Sequence, residues 1–298
     1  MKHAITILDG GMGGELRRIG APFRQPEWSA LALTDRPDRV VRAHTNFIDA
    51  GAEVITTNSY AIVPFHIGEH RFAGEAEALA AVAGECARAA ADASLRSVRV
   101  AGGLPPLFGS YRPDLFDRDD APRIIDPLVE GLSPHVDLWL GETLSSIAEA
   151  HAVREALERI DDQARPLWIA FTLDDRQEGA LRSGESIADA VTAASDLGAA
   201  AILFNCSQAE TIGRAIPAAV GVAPVALAVG GYANRFDATH DGSGANEQIH
   251  DYRDDVDPET YRAHAAGWLE AGATIIGGCC GIAPDHIAEI ARLAGDRC

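Results

Sequence analysis

Short apolar runs alternate with longer amphipathic segments along the whole chain. Eight runs read as strands: Ile5–Leu8, Glu53–Thr56, Val98–Ala101, Leu138–Leu140, Leu167–Phe171, Ala200–Phe204, Val225–Val229 and Thr274–Ile276. Several are apolar at consecutive positions, as strands covered on both faces must be. Helical periodicity lies between them, most clearly over Arg39–Ala50, Gly74–Ser94, Ser145–Ile160, Ser186–Leu197, Ala209–Ala219, Pro258–Ala271 and Pro284–Ala294.

One local signature occurs three times. Asp49-Ala50-Gly51-Ala52-Glu53-Val54-Ile55, Asp196-Leu197-Gly198-Ala199-Ala200-Ala201-Ile202 and Glu270-Ala271-Gly272-Ala273-Thr274-Ile275-Ile276 each place glycine where a helix ends and a strand follows. Glycine there permits a left-handed cap. Helix–Gly–strand repeated without a hairpin predicts right-handed βα units around a parallel sheet. Eight units favour a single closed (β/α)8 TIM barrel spanning residues 1–298, with an open doubly wound sheet as the other arrangement of the same units. The stretch Tyr232–Asp257 breaks the pattern, being polar and rich in Gly, Asn and Asp. It is too long for an ordinary connection and is expected to be a lid or mobile loop.

Composition adds limits. The chain of 298 residues carries 44 acidic and 25 basic side chains, a formal charge of −19. That balance disfavours a nucleic-acid partner, which needs clustered Lys and Arg. It suits a cationic small molecule. No run of about 18 apolar residues occurs, and the N-terminus lacks the pattern of a leader, so no membrane partner and a cytoplasmic location are expected. Five cysteines in such a chain are thiols or metal ligands rather than a disulfide framework.

The chemistry should lie at the C-terminal ends of the strands. Asp9-Gly10-Gly11-Met12-Gly13-Gly14, Thr57-Asn58-Ser59-Tyr60, Gly141-Glu142-Thr143, Asn205-Cys206-Ser207 and Gly277-Gly278-Cys279-Cys280-Gly281 follow five of them. Adjacent cysteines within a regular strand would face opposite ways. Glycines on both sides of Cys279-Cys280 let the chain turn, so both sulfurs can converge with Cys206. Three thiolates make an open site of the kind a catalytic Zn2+ uses. A buried cysteine is more often a small hydrophobe, and only the strand-end placement speaks for a metal. Cys86, mid-helix, and Cys298, the last residue, read as non-ligands. Trp139, within a strand, reads as core. His66 and His70 stand at i and i+4, the spacing a metal-dependent hydrolase would use, but Gly68 interrupts them. The glycine-rich stretch after the first strand lacks both the P-loop ending and dinucleotide spacing.

These elements together resemble the homocysteine S-methyltransferase family. The resemblance rests on Leu8-Asp9-Gly10-Gly11-Met12-Gly13, on Gly51 to Tyr60, on Gly141-Glu142-Thr143, on Phe204-Asn205-Cys206-Ser207 and on Gly277 to Ile287. It implies that Cys206, Cys279 and Cys280 bind zinc and that the homocysteine sulfur takes the fourth position. A methyl group from a small cationic donor then yields methionine. It further implies that Asp9 and Glu142 hold the substrate ammonium. Backbone N–H groups near Gly10 and Gly11 are expected to face its carboxylate. Thr57, Asn58, Ser59, Tyr60 and Asn205 are expected in the pocket wall.

For the donor, a chain of this length leaves no room for cobalamin and folate modules or for the C-terminal extension of betaine-using members. S-methylmethionine is therefore favoured, with S-adenosylmethionine next. Ser145 stands where members using S-methylmethionine commonly have Pro, which keeps betaine, another donor or another acceptor thiol in view. A barrel hydrolase and a non-enzymatic thiol or zinc sensor are the remaining alternatives. Oligomeric state is not legible.

Overall fold

The computed structural model describes residues 5–177, 179–237 and 252–295. Its elements run β1 (Thr6–Ile7), α1 (Met12–Arg18), α2 (Ala30–Asp35), α3 (Pro37–Ala50), β2 (Val54–Thr56), α4 (Pro64–Ile67), α5 (Glu69–Asp92), β3 (Arg99–Leu104), α6 (Ala121–Leu132), β4 (Leu138–Leu144), α7 (Ile147–Ile160), β5 (Leu167–Phe171), α8 (Ile187–Asp196), β6 (Ala201–Asn205), α9 (Ala209–Val220), β7 (Ala228–Ala233), α10 (Pro258–Glu270), β8 (Ile275–Gly278) and α11 (Pro284–Gly295). All eight strands are parallel and pair in the order β1-β8-β7-β6-β5-β4-β3-β2. A parallel bridge between Leu8 and Val54 closes the ring. The Asp9 N–H to Val54 O bond of 3.0 Å and the Glu53 N–H to Ile7 O bond of 2.8 Å complete the seam. The (β/α)8 barrel predicted from the alternating pattern is the fold observed.

Alternate strand residues serve two cores. Leu8, Val54, Leu138, Leu140, Trp168, Leu203 and Ile275 fill the barrel interior. Ile7, Ile55, Ile169, Ile202, Phe204 and Ile276 pack outward against the helices. Every residue of β5 and β6 is buried, which is why those runs are continuously apolar. The three repeated glycines have φ of +119° (Gly51), +67° (Gly198) and +105° (Gly272), as a left-handed helix end requires. No helix among the described residues is long and apolar enough to cross a membrane.

Several readings change. β7 starts at Ala228 rather than Val225, whose side chain is 97% exposed. The strand instead continues through Gly230-Gly231-Tyr232, held in register between β6 and β8. β4 extends through Gly141 and Glu142 to Leu144, so Glu142 lies within a strand, not after one. α6 was hidden by Pro127 and Gly131, which break a helical pattern in isolation. Of the Tyr232–Asp257 stretch, Tyr232 and Ala233 belong to β7, and residues 238–251 lie outside the described residues, as does Cys298. The two described ends of this stretch meet: Phe236 bridges Tyr252 in antiparallel fashion, and their rings stack at 5.6 Å.

His44, in α3, has no exposed surface, and neither ring nitrogen has a hydrogen-bond partner among the described residues. Burial alone pushes its pKa down to about 3. An unfolded chain takes up this proton near pH 6.5, whereas the folded one refuses it until near 3. The stability that a neutral His44 permits is therefore complete above pH 6.5 and is lost as pH falls toward 3. The slope reaches about 1.4 kcal/mol per pH unit. Urea unfolding at pH 7.5 and 5.5 should show a smaller acid loss in His44→Leu than in the parent chain. Equal losses in the two proteins would contradict this.

Candidate metal centre and substrate pocket

Cys206 follows β6, and Cys279 and Cys280 follow β8, with β7 between. Backbone bonds to the end of β7 and to Arg235, two residues beyond it, hold all three. Cys206 N–H donates to Tyr232 O at 3.2 Å, and Cys279 N–H donates to Ala233 O at 2.9 Å. Arg235 N–H donates to Cys280 O at 2.9 Å. Cys206 has φ +48°, a conformation non-glycine residues rarely adopt and one that this bonding sustains. Gly281, at φ +81°, lets the chain turn directly after the cysteine pair. The three Sγ atoms lie within 4.8 Å of one another, and Cys206 and Cys280 are 3.7 Å apart. Among the described residues this is the one such group of three.

The sulfurs are electrostatically unequal. Thiol hydrogen bonds from Cys279 and Cys280 hold Cys206 well below the usual thiol range, with help from Tyr111 and Asn234. Cys279 and Cys280 are pushed up, first by their hydrogen bonds to Cys206. The cluster therefore carries its first negative charge on Cys206. Tyr111 Oη donates to that sulfur at 3.0 Å, and the Arg182 guanidinium lies 4.5 Å over the Tyr111 ring.

Two carboxyl groups share the cavity with the sulfurs. Asp9 accepts from the Thr56 N–H at 2.8 Å and from Thr56 Oγ1 at 3.4 Å. Glu142 accepts from Tyr232 Oη at 3.1 Å. These donors are all uncharged. Burial raises Asp9 well above the ordinary carboxylate range, Thr56 opposes the rise, and Glu142 adds to it. Desolvation, then the charge on Cys206, raise Glu142 to about 7, against the Tyr232 bond. Such a pair gains most from a cation brought in by a ligand.

The other expected site residues divide. Thr57 and Asn58 line the cavity, but their polar groups are engaged internally. Thr57 Oγ1 accepts from Gly103 N–H at 3.0 Å, and Asn58 Nδ2 donates to Ser29 O at 3.0 Å. Gly10 and Gly11 also line the cavity, and their smallness is required there. A Cβ on Gly10 would lie 2.4 Å from Ile282 O, and one on Gly11 would lie 2.7 Å from Cys279 O. Of the N–H groups near Gly10 and Gly11 expected to face a carboxylate, that of Gly11 is already engaged, donating to Ile282 O at 2.9 Å. Ser59 and Asn205 are corrected, since both lie outside the cavity lining. Ser59 Oγ donates to Gly103 O at 2.6 Å. Asn205 is on the inner face of β6 with Ala201 and Leu203, and its amide closes on Thr143 at 3.1 and 2.8 Å. Cys86 is remote from the cluster and contacts Pro37 O at 3.6 Å, as a non-ligand would. Trp139 is fully buried, its indole N–H on Asp161 at 2.8 Å. His66 and His70 fall in different helices, separated by Gly68 at φ +81°.

Tyr60 lines the cavity as expected, whereas sequence reasoning overlooked Tyr111, Tyr232, Asn234 and the other aromatic side chains of the wall, Trp28, Phe236 and Tyr252. Tyr111 lies in the connection after β3, and Tyr232 and Asn234 lie at the end of β7. Inspecting every strand end, rather than the five richest, would have found them.

The sequence profile described as homocysteine S-methyltransferase matches residues 6–294. Homocysteine S-methyltransferase of Escherichia coli strain K12 is 30% identical over 314 residues, covering 97% of this chain and 95% of that protein. Homocysteine S-methyltransferase 1 of Brassica oleracea var. italica is 29% identical over 313 residues, covering 96% and 92%. The crystal structure of the metallated homocysteine methyltransferase MmuM from Escherichia coli superposes with a TM-score of 0.80 at 26% identity, covering 98% of this chain and 97% of that one.

Proposed function

The chain belongs to the homocysteine S-methyltransferase family, and from that premise we propose that it uses zinc to methylate homocysteine, with S-methylmethionine as the donor. The observation that carries this reading is the convergence of three thiols within 4.8 Å on a cavity that also holds Asp9 and Glu142. The donor set fits the ion. Sulfur ligands suit zinc, and three protein ligands leave a position for a substrate sulfur. A solved relative is described as metallated, in keeping with a metal at this position. Bound here, zinc supplies a Lewis-acidic seat that keeps the homocysteine sulfur deprotonated at neutral pH.

The remaining tasks belong to the chain's own residues. Cys206, Cys279 and Cys280 hold the metal. Tyr111 Oη, on Cys206 Sγ at 3.0 Å, steadies that ligand in the manner of an outer-shell hydrogen bond. Asp9 and Glu142 receive the substrate ammonium, which supplies the positive charge their uncharged partners lack. Gly10 and Gly11 let the first loop pack against the cysteine turn, and Thr57 and Asn58 keep the wall rigid through Gly103 and Ser29. The aromatic wall excludes water and presents ring faces to a cationic donor. Three thiols that must stay reduced suit the cytoplasm.

The test is a homocysteine methylation assay with S-methylmethionine, S-adenosylmethionine, betaine and dimethylsulfoniopropionate, run beside metal analysis of the same preparation. Turnover is expected with S-methylmethionine, with about one zinc per chain. Full turnover by metal-free protein would overturn the reading. Failure with every donor would point to another acceptor thiol.

A further inference from the structure

His66 lies in α4 and lines the cavity, with the rings of Trp28 and Tyr60 at 6.1 and 6.4 Å. It is 3% exposed. Its Nδ1 lies 3.0 Å from Pro26 O. A carbonyl oxygen can only accept, so Nδ1 carries the proton and Nε2 is left with a lone pair. That Nε2 is buried and has no partner among the described residues. Burial holds the ring near pKa 4, so the imidazole stays neutral at ordinary pH and Nε2 stays an acceptor. An unmatched buried acceptor is costly and calls for an explanation, and a ligand in the cavity that the His66 side chain helps to line can supply the missing donor.

Homocysteine does not need this group, because its ammonium and sulfur have Asp9, Glu142 and the cysteines. We propose that His66 selects the methyl donor, its Nε2 accepting a hydrogen bond from an N–H of a sulfonium amino acid. The inference rests on the methyl-transfer reading above and adds the residue that chooses among donors. S-methylmethionine and S-adenosylmethionine carry a primary ammonium and can make this bond. Betaine has a fully methylated nitrogen and dimethylsulfoniopropionate has none, so either would leave Nε2 unmatched.

The experiment uses zinc-loaded enzyme with saturating homocysteine. S-methylmethionine and dimethylsulfoniopropionate are compared in the parent chain, His66→Phe and His66→Gln. In His66→Phe, KM for S-methylmethionine should rise about tenfold or more, with kcat within about twofold, as loss of one hydrogen bond to a charged group predicts. Parameters for dimethylsulfoniopropionate should stay within about twofold. His66→Gln, whose side-chain carbonyl offers an acceptor at similar reach, should recover most of the KM. An equal loss for both donors, or no recovery by Gln, would assign His66 a structural role and overturn the proposal. So would a parent KM for dimethylsulfoniopropionate at or below that for S-methylmethionine. If no donor methylates homocysteine, the methyl-transfer reading fails separately. Calorimetry of S-methylmethionine binding then decides the role of His66: binding weakened in the Phe variant supports it, and binding absent or unchanged overturns it.

Discussion

Cys279→Ser is expected to lose its metal and to lower kcat/KM for homocysteine methylation by roughly 10³-fold or more. Two effects combine. A thiol with no metal beside it is only a few per cent thiolate at pH 7, and a sulfur no longer held in line forfeits much of the benefit of orientation. The effect should be this large because Cys279 is one of three sulfurs within 4.8 Å and the described residues offer no fourth of the kind. Serine keeps the size and the backbone bond from Cys279 N–H to Ala233 O, so the fold should survive. Metal content by mass spectrometry and steady-state kinetics on the same sample test the claim. Cys86→Ala is the control, since Cys86 is packed in α5 with its sulfur on Pro37 O. Stoichiometric zinc and unaltered turnover in Cys279→Ser would remove the cluster from the chemistry.

Glu142→Gln should weaken homocysteine and strengthen the fold. In the folded protein the Glu142 carboxyl titrates at about 7, raised by desolvation and by the Cys206 charge. In the unfolded chain a glutamate ionises near 4.5. The folded pKa is the higher one, so stability is greatest below pH 4.5 and declines as pH rises to 7. Above pH 7 the ionised group weighs against folding. Because Glu142 keeps some exposure to the cavity, we expect Gln to recover on the order of 1–2 kcal/mol at pH 8, less than the full shift would give. The bond from Tyr232 Oη can pass to the amide oxygen. Binding moves the other way. Loss of a charged partner for the ammonium should raise KM for homocysteine roughly 10- to 100-fold, with the donor KM little changed. In the parent chain homocysteine affinity should climb with pH through about 7, and Gln should flatten that climb. Thermal unfolding at pH 8 and a KM profile from pH 6 to 8 separate the two effects. A variant that is less stable at pH 8, or that binds homocysteine as before, would refute the assignment.

The opposite signs suit a binding site. Two carboxyl groups are kept close together, without a cationic partner among the described residues, in a cavity that raises both pKa values. That arrangement costs stability when empty and is relieved by a ligand ammonium. His44 differs: its burial also shifts its pKa, yet it does not line the cavity. A shifted pKa marks a functional group only where geometry gives it something to act on.

Much of the molecule could be read from local signals. Gly51, Gly198 and Gly272 end helices in the left-handed conformation, and the runs at β5 and β6 are apolar on both faces. Each is a property of a few adjacent residues, so the barrel and the strand-end cysteines were visible in one dimension. α6 was not, because Pro127 and Gly131 are tolerated there only with tertiary packing around them. Val225 misplaced the start of β7 because an apolar residue need not be buried.

The sequence by itself determined the parallel βα units and set three cysteines near two strand ends, since helix–Gly–strand repeats are local, while the roles expected for Asp9 and Glu142 came from the resemblance to the family and not from pattern. Only the tertiary structure decided what those groups touch. It brought Tyr111 to Cys206 across 95 positions and Tyr232 to Glu142 across 90, turned Asn205 onto Thr143, committed the Gly11 N–H to Ile282, and left His66 Nε2 without a partner among the described residues. The physical reason is barrel closure: residues distant in the chain become neighbours through strand register and loop packing, which no local spacing encodes.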